Sequence, residues 1–208
     1  MRVYFVRHGQ SELNASGTHQ GAEGALSSAG RQQAHYVGEK LKQFSIDAII
    51  HSPFERTHET AEVIRETLGH ADMQTTELLR EIVPPSSLQG MEHHHEKSIA
   101  VRAQIRENQQ DHDWRYEDEE TVNEIIDRCH ACLKYLSEQP HENMVVVSHG
   151  SFMKCLFATV LLGDLVTSEV FHRFRQNLDT ANTGVCILDY RDSQWRVLTW
   201  NDFAHINP

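Results

Sequence analysis

Residues 2–14 read Arg-Val-Tyr-Phe-Val-Arg-His-Gly-Gln-Ser-Glu-Leu-Asn, and the rest of the chain is organised around this stretch. Val3–Val6 is a β-branched and aromatic run, which is typical of a buried strand. The run ends in Arg7-His8-Gly9, so a cation and an imidazole stand at the C-terminal end of a strand, beside a glycine that permits a turn. Ligands of open α/β sheets bind just beyond the carboxyl ends of the strands, which makes this turn a candidate site.

The chemistry of Arg7 and His8 suits a phosphate. Arginine offers a planar, permanently charged fork of donors that matches phosphate oxygens. Histidine can attack through one neutral ring nitrogen while a hydrogen bond holds the other. The pair therefore suggests a site that forms phosphohistidine. A solvated strand end could contain the same two residues, so the rest of the chain has to decide between the two interpretations.

Composition limits the class of protein. The 208 residues suffice for one substantial core, and 39% hydrophobic with 24% charged residues is typical of a soluble globular protein. The net charge of −11, without a basic stripe, argues against nucleic-acid and membrane-surface partners. We see no signal peptide and no apolar run near the ~20 residues of a membrane-spanning helix. Four cysteines are too few for a disulfide framework, so we expect a cytoplasmic protein.

Strand and helix patterns alternate along the chain. Apolar or β-branched runs predict strands at residues 3–6, 47–52, 73–79, 143–148, 185–189 and 196–201. Helical spacing predicts a helix that follows Ser27 or Ser28 and includes Leu41, and further helices at residues 56–68, 97–110, 119–138, 151–162 and 168–178. This order predicts a three-layer α/β/α sandwich with a mostly parallel central sheet. No linker or repeat interrupts it, so we expect a single domain over residues 1–208, with a cap-like irregular excursion around residues 83–118.

Three predicted strand ends carry matching chemistry. Arg7-His8 follows the first strand, Ser52 and Arg56 follow the second, and His149-Gly150 follows the strand at residues 143–148. In a parallel sheet, these ends meet in one crevice. Like charges repel, so two arginines and two histidines gathered there are best explained by a dianion bound between them.

The motifs resemble those of the histidine phosphatase superfamily, the phosphoglycerate mutase-like enzymes. The resemblance runs through most of the chain in the family's order, in Arg7-His8-Gly9 with Asn14, Leu26-Ser27-Ser28-Ala29-Gly30 with Gln33-Ala34, Ser52-Pro53 with Arg56-Thr57 and Thr60-Ala61, Leu79-Arg80-Glu81, Glu120-Thr121, and Ser148-His149-Gly150. The family's fold is the three-layer sandwich that the alternation of elements predicts.

The resemblance implies a mechanism. His8 attacks phosphorus and is transiently phosphorylated, while Arg7, Arg56 and His149 surround the phosphoryl oxygens and stabilise charge in the transition state. Glu81 matches the acid that protonates the leaving oxygen and then activates water. That role requires a carboxyl group that starts protonated, which partial burial favours.

The resemblance also implies the remaining contacts. We expect Asn14, Gln20 and Gly150 to contact a small phosphorylated substrate. No metal and no cofactor are required, because the arginines supply the positive charge. An edge strand gives the chain a surface on which it could form a homodimer.

Two departures from the family favour a phosphatase of small phosphomonoesters. Residues 83–90 replace the family's glycine and aromatic segment after Glu81, and the chain is short for both the lid insertion and the extended tail of true mutases. The alternative within enzymes is a 2,3-bisphosphoglycerate-dependent phosphoglycerate mutase. The alternative of another class is a catalytically silent phosphate-binding or scaffold protein. The presence of the expected residue at every catalytic position argues against this alternative.

Three other motifs have competing interpretations. His93–His95 could be a metal site, but a solvated loop is favoured, with one histidine reaching the substrate as a third interpretation. Cys129-x-x-Cys132 has the spacing of a redox pair or half a zinc site, but core packing on one helix face is favoured. Residues 179–184 are typical of a turn, and in this family that loop runs close to the active site.

Overall fold

One six-stranded sheet forms the centre of the computed structural model, which describes residues 1–108 and 110–206. Its strands are β1 (Arg2–Arg7), β2 (Ala48–His51), β3 (Asp72–Thr75), β4 (Asn143–Ser148), β5 (Val185–Arg191) and β6 (Gln194–Asp202). Their order is β3-β2-β4-β1-β5-β6. Strands β1 to β4 run parallel, β5 pairs antiparallel with β1, and β6 pairs antiparallel with β5. The predicted mostly parallel α/β sheet is confirmed.

Helices cover both faces of this sheet. They are α1 (Glu12–Ser16), α2 (Ser28–Leu41), α3 (Glu55–Leu68), α4 (Glu96–Glu107), α5 (Val122–Ser137), α6 (Gly150–Leu162) and α7 (Ser168–Asn177). Successive strand residues face opposite sides, so Phe5 and Val146 pack with residues of α5 and α6, whereas Tyr4 and Val145 pack with residues of α2 and α3. The result is three layers. Across the described residues, every helix is too short or too polar to span a bilayer.

Capping side chains fix two helix starts. The Ser27 side chain accepts a hydrogen bond from the backbone N–H of Gly30 at 3.1 Å, so α2 begins at Ser28, the earlier of the two starts that the sequence allows. Thr121 and Glu124 form a capping box, in which each side chain accepts from the other residue's backbone N–H. Helix α5 therefore begins at Val122, slightly later than predicted.

Two other predicted elements end several residues earlier than the sequence indicated. The predicted strand 73–79 ends at Thr75, and a 3-10 turn follows at Glu77–Leu79. Thr76 starts this turn, since its hydroxyl accepts a hydrogen bond from the backbone N–H of Leu78 at 3.3 Å and competes with strand pairing. The predicted helix 97–110 ends at Glu107, and Gln109 lies outside the described residues.

The segment 83–118 joins the loop that follows β1. The backbone N–H of His19 donates to Met91 O at 2.9 Å, and that of Gly90 donates to His19 O at 2.8 Å. The backbone N–H of His93 donates to Gly17 O at 3.1 Å. These bonds connect residues 17–19 to residues 90–93, so the loop after the first motif and the irregular segment form one layer beside the strand ends.

Candidate active site

A cavity of about 480 Å³ is lined by residues from the carboxyl ends of the parallel strands and from segment 83–118. The sequence-predicted site residues that line it are Arg7, His8, Asn14, Gln20, Arg56 and Glu81. His149 lies beside them, with its ring centroid 5.2 Å from that of His8. Gly150 packs against two side chains of the site. A Cβ atom on it would lie 2.9 Å from Thr180 Oγ1 and 3.4 Å from Arg7 Nε, so the absence of a side chain leaves room for both.

His8 is held in one orientation. Its Nδ1 lies 2.7 Å from the Gly9 carbonyl oxygen, which must accept a hydrogen from it, so the neutral ring keeps its lone pair on Nε2. Burial, followed by the charges of Arg7 and Arg56, holds the pKa of His8 well below its ordinary value of 6.5. A neutral imidazole with one nitrogen fixed and the other free is the form in which histidine is a nucleophile.

Two guanidinium groups face this ring, that of Arg56 buried and that of Arg7 half-buried. Arg7 donates through Nη1 to Thr180 O, and Arg56 donates through Nη1 to Gly21 O at 3.0 Å. Burial lowers the pKa of Arg56 to about 10, against a raising effect of Glu81, and burial also lowers the pKa of Arg7. Both groups nevertheless stay charged at neutral pH.

His149 is also fixed through one ring nitrogen. Its Nε2 lies 2.8 Å from Ser52 Oγ, and burial, followed by the charges of His8 and Arg56, holds its pKa well below the ordinary value. Four buried polar atoms of this group find no hydrogen-bond partner among the described residues: Arg7 Nε, Gln20 Nε2, Arg56 Nε and His149 Nδ1. Buried donors are normally satisfied, so four together indicate an acceptor-rich ligand such as an oxyanion.

Glu81 lies against the N-terminus of α6. Its Oε1 accepts from the backbone N–H groups of Ile82 and Phe152, both at 2.9 Å, and its Oε2 accepts from that of Ser151 at 3.2 Å. Charge-assisted hydrogen bonds at a helix N-terminus stabilise an ionised carboxylate. The group is thereby aimed into the cavity that also contains His8.

The predicted turn at residues 179–184 holds the backbone of the first motif. The backbone N–H of Thr183 donates to Arg7 O at 2.9 Å, and Asn182 Nδ2 donates to His8 O at 2.9 Å. With the bond from Arg7 Nη1 to Thr180 O, this turn fixes both the main chain and the guanidinium at the end of β1.

The far side of the cavity was missed by sequence reasoning. Helices α4 and α7 line it with Arg102, Ile105, Arg106, Ser168, Phe171, His172, Arg175 and Gln176. Within each helix these positions are three or four residues apart and so share a face. This spacing is the feature of the sequence that could have indicated them. Ser168 is buried, and its hydroxyl has no partner among the described residues.

The histidine cluster divides among three roles. His93 lines the cavity and packs edge-on against His19, with centroids 4.4 Å apart. His95 caps α4 through Nδ1, which accepts from the backbone N–H of Lys97 at 3.2 Å, and His94 is exposed. Cys129 and Cys132 are both free and fully buried in the core, as the packing interpretation predicts.

A family model described as "Histidine phosphatase superfamily (branch 1)" matches residues 3–203. The chain belongs to the histidine phosphatase superfamily. Among its curated relatives, "Probable phosphoglycerate mutase GpmB" of Salmonella choleraesuis is 33% identical over 215 aligned residues, which cover 100% of this chain and 95% of that protein.

Solved structures share the fold at lower identity. Bacillus stearothermophilus YhfR superposes with a TM-score of 0.83 at 24% identity, covering 99% of both chains. A phosphoserine phosphatase of Entamoeba histolytica, solved with phosphoserine, gives 0.79 at 20% identity, covering 98% of both. A mycobacterial glucosyl-3-phosphoglycerate phosphatase gives 0.79 at 24% identity, covering 97% of this chain and 99% of its own. These similarities place the fold among the phosphoglycerate mutase-like structures.

Proposed function

We propose that this chain is a phosphatase that hydrolyses small phosphomonoesters through a covalent phosphohistidine on His8, within one domain that segment 83–118 caps. The observation that carries the proposal is the set of four unpaired buried polar atoms, on Arg7, Gln20, Arg56 and His149, beside the free Nε2 of His8. A tetrahedral dianion would satisfy those donors and bring its phosphorus to the nucleophile.

In the first step, His8 Nε2 forms a bond to phosphorus while the bond from phosphorus to the ester oxygen breaks. The guanidinium groups of Arg7 and Arg56 stabilise the charge on the equatorial oxygens. Glu81 gives its proton to the leaving oxygen. The backbone N–H groups of Ile82, Ser151 and Phe152 hold the Glu81 carboxyl group in place for this transfer.

In the second step, the ionised Glu81 takes a proton from water, and the water oxygen attacks phosphorus. The bond from phosphorus to His8 Nε2 breaks, and its electron pair returns to the imidazole. Inorganic phosphate leaves, and Glu81 is again protonated until the site empties.

The mutase alternative uses the same first step. It is favoured by the name of the full-length relatives, and it differs in that the phosphoryl group returns to a substrate hydroxyl instead of water. A silent phosphate-binding protein would share the oxyanion site and would transfer nothing.

The test is hydrolysis of p-nitrophenyl phosphate in EDTA, with wild type, His8→Ala and the exposed matched control His70→Ala. We expect the wild type and His70→Ala to release p-nitrophenol, and His8→Ala to lose activity at least about a thousandfold. Acid-labile, base-stable phosphate should be trapped on the wild type and on His70→Ala, and should be missing from His8→Ala. Conversion of 3-phosphoglycerate to its isomer without phosphate release would indicate the mutase, and phosphate binding without turnover would indicate the silent protein.

A further inference from the structure

The Glu120-Thr121 motif belongs to the family resemblance but has no part in the mechanism above. Glu120 lies just before α5. Arg128 lies within that helix, and its side chain is only 6% exposed. A buried guanidinium is costly to desolvate, so the fold must use its donors fully. The partners of those donors therefore show which groups the buried side chain holds in place.

Arg128 binds two different partners. Its Nε and Nη2 donate to the two carboxylate oxygens of Glu120 at 2.9 and 2.7 Å, a bidentate pair. Its Nη1 donates to the carbonyl oxygens of Arg80 at 2.8 Å and Leu78 at 3.3 Å. Glu120 also accepts from the Arg80 side chain at 2.9 Å. The pair thus holds both the main chain and the side chain of the residue before Glu81.

The segment that carries Glu81 depends on these bonds. The carbonyls of Leu78 and Arg80 accept from Arg128, and the carbonyl between them, on Leu79, accepts from Ser148 Oγ at 2.8 Å. Three successive carbonyls are therefore held by side chains instead of by a helix or a sheet. A segment fixed in this way has no regular ladder to restore its position if the side chains are removed.

Arg128 also supports the opposite side of the Glu81 carboxylate. Its guanidinium carbon lies 4.4 Å from the centroid of the Phe152 ring, a cation–π contact. The backbone N–H of Phe152 donates to Glu81 Oε1. One side chain therefore contacts both the segment that carries Glu81 and the residue that hydrogen-bonds its carboxylate.

We propose that the Glu120–Arg128 pair positions Glu81 for proton transfer in both steps of the reaction. This inference rests on the proposed function, in which Glu81 is the acid and base. Displacing a catalytic group by about 1 Å can cost about a hundredfold in rate. Loss of the pair should therefore lower kcat about a hundredfold, whereas kcat/KM for p-nitrophenyl phosphate, which reports phosphorylation of His8, should change little, since Arg7, Arg56 and His149 still bind phosphate.

The second step distinguishes this role from a merely structural one. p-Nitrophenolate leaves without a proton, so phosphorylation of His8 continues when Glu81 is displaced, whereas attack by water still needs the base. The variant should release one equivalent of p-nitrophenol in a burst and then turn over slowly as phosphohistidine accumulates. A general loss of folded protein would reduce the burst and the steady state together.

The experiment compares rapid-mixing time courses of wild type, Arg128→Met, Arg128→Lys and Glu120→Gln. Glu81→Gln is the reference for a lost base. The matched control is Arg115→Lys. It alters the exposed ion pair between Arg115 and Glu124, a residue of the same helix as Arg128. Circular dichroism and thermal unfolding verify that each variant is folded. If Arg128→Met does not fold, Arg128→Lys, which keeps the charge but loses the bidentate fork, and Glu120→Gln decide the outcome.

A burst in the folded Arg128 and Glu120 variants that matches Glu81→Gln, and none in Arg115→Lys, supports the proposal. Folded variants that turn over like wild type, or that lose burst and steady state equally, overturn it. If Glu81→Gln itself shows no burst while wild type turns over, the assigned role of Glu81 fails, and the positioning role falls with it. That result is distinct from failure of the phosphohistidine route, in which His8→Ala retains wild-type turnover.

Discussion

Ser52 Oγ lies 2.8 Å from His149 Nε2, although the two residues are 97 positions apart in the chain. Ser52 follows β2 and His149 follows β4, and these strands are paired in parallel. The backbone N–H of Phe54 points to Ser52 Oγ at 3.4 Å, so the hydroxyl hydrogen is free to donate to Nε2. We assign this hydroxyl as the donor to Nε2, which places the hydrogen of neutral His149 on Nδ1, the atom without a partner among the described residues.

Ser52→Ala should impair catalysis, because His149 can then adopt either neutral tautomer. Without the hydroxyl, His149 loses the bond that keeps Nδ1 a donor, and we expect kcat/KM to fall about tenfold, equivalent to ~1.4 kcal/mol for one lost hydrogen bond. Steady-state kinetics with p-nitrophenyl phosphate measure the change. Thr159→Ala, which removes a buried hydroxyl bonded within α6, is the control and should stay near wild type. Equal effects of the two substitutions would contradict the orienting role.

Gly30→Ala should disturb the loop that follows His8. A Cβ atom on Gly30 would come closer to Gln10 O than van der Waals contact permits, and one on Gly9 would lie 2.5 Å from Gly30 O. The two backbones must separate, which should cost about 1–3 kcal/mol of unfolding free energy and lower kcat/KM with it. Urea unfolding and kinetics check both effects. Ser28→Ala, an exposed change in the same helical turn, should leave both unchanged.

Stability should decrease as the pH falls below 7. Burial, then His93 and Arg102, lowers the pKa of His19 to about 4, and burial, then Lys40, lowers that of His205 to about 4. In the unfolded chain, both histidines bind protons as the pH falls through their ordinary pKa of 6.5. The unfolded state therefore takes up more protons between these values, and the free energy of unfolding falls across that window.

Urea unfolding at pH 7, 6 and 5 and constant ionic strength measures this decline. The range lies above the ordinary pKa values of the carboxyl groups, so histidines dominate it. His205→Gln, which can still bond Thr183 Oγ1, should make the slope shallower. A stability that is flat from pH 7 to pH 5 would refute the assignment.

The far side of the cavity should favour substrates that carry a second negative charge. Arg106 and Arg175 line it, and neither has a carboxylate within 4 Å among the described residues. Each of Arg106→Gln and Arg175→Gln should raise KM for such substrates roughly two- to fivefold, as expected for partly exposed charges, and leave KM for p-nitrophenyl phosphate unchanged. Arg173→Gln, an exposed change on α7 outside the lining, is the control. Equal changes for both substrates would contradict the prediction.

The sequence was sufficient to predict that Arg7, His8, Arg56 and His149 lie together. Arg7 and His8 follow the apolar run of β1, and His149 follows that of β4 after Ser148. Arg56 lies five residues past the end of β2, so the parallel sheet predicts that these side chains meet at one edge. Residues 179–184 were also assigned to the pocket, through the family resemblance. The structure adds that their contacts are with the backbone of Arg7 and His8.

The far side of the site could not be predicted, for physical reasons. The sequence predicts the helix α7, but which of its positions face a cavity depends on the path of segment 83–118. That path is set by backbone bonds such as the one from His93 to Gly17, which side-chain patterns do not encode. Arg128 was missed because a charged residue in an amphipathic helix is normally solvated, and its burial depends on Glu120, which lies outside that helix.

The bonds from the 179–184 turn to Arg7 and His8 have a consequence for how the protein is made. His8 is translated among the first residues, yet the carbonyl oxygens of Arg7 and His8 accept hydrogen bonds from residues more than 170 positions later. A chain that stops before this turn lacks these bonds, although strands β1 to β4 precede it. We therefore expect the proposed activity to appear only after residues 179–184 have been made.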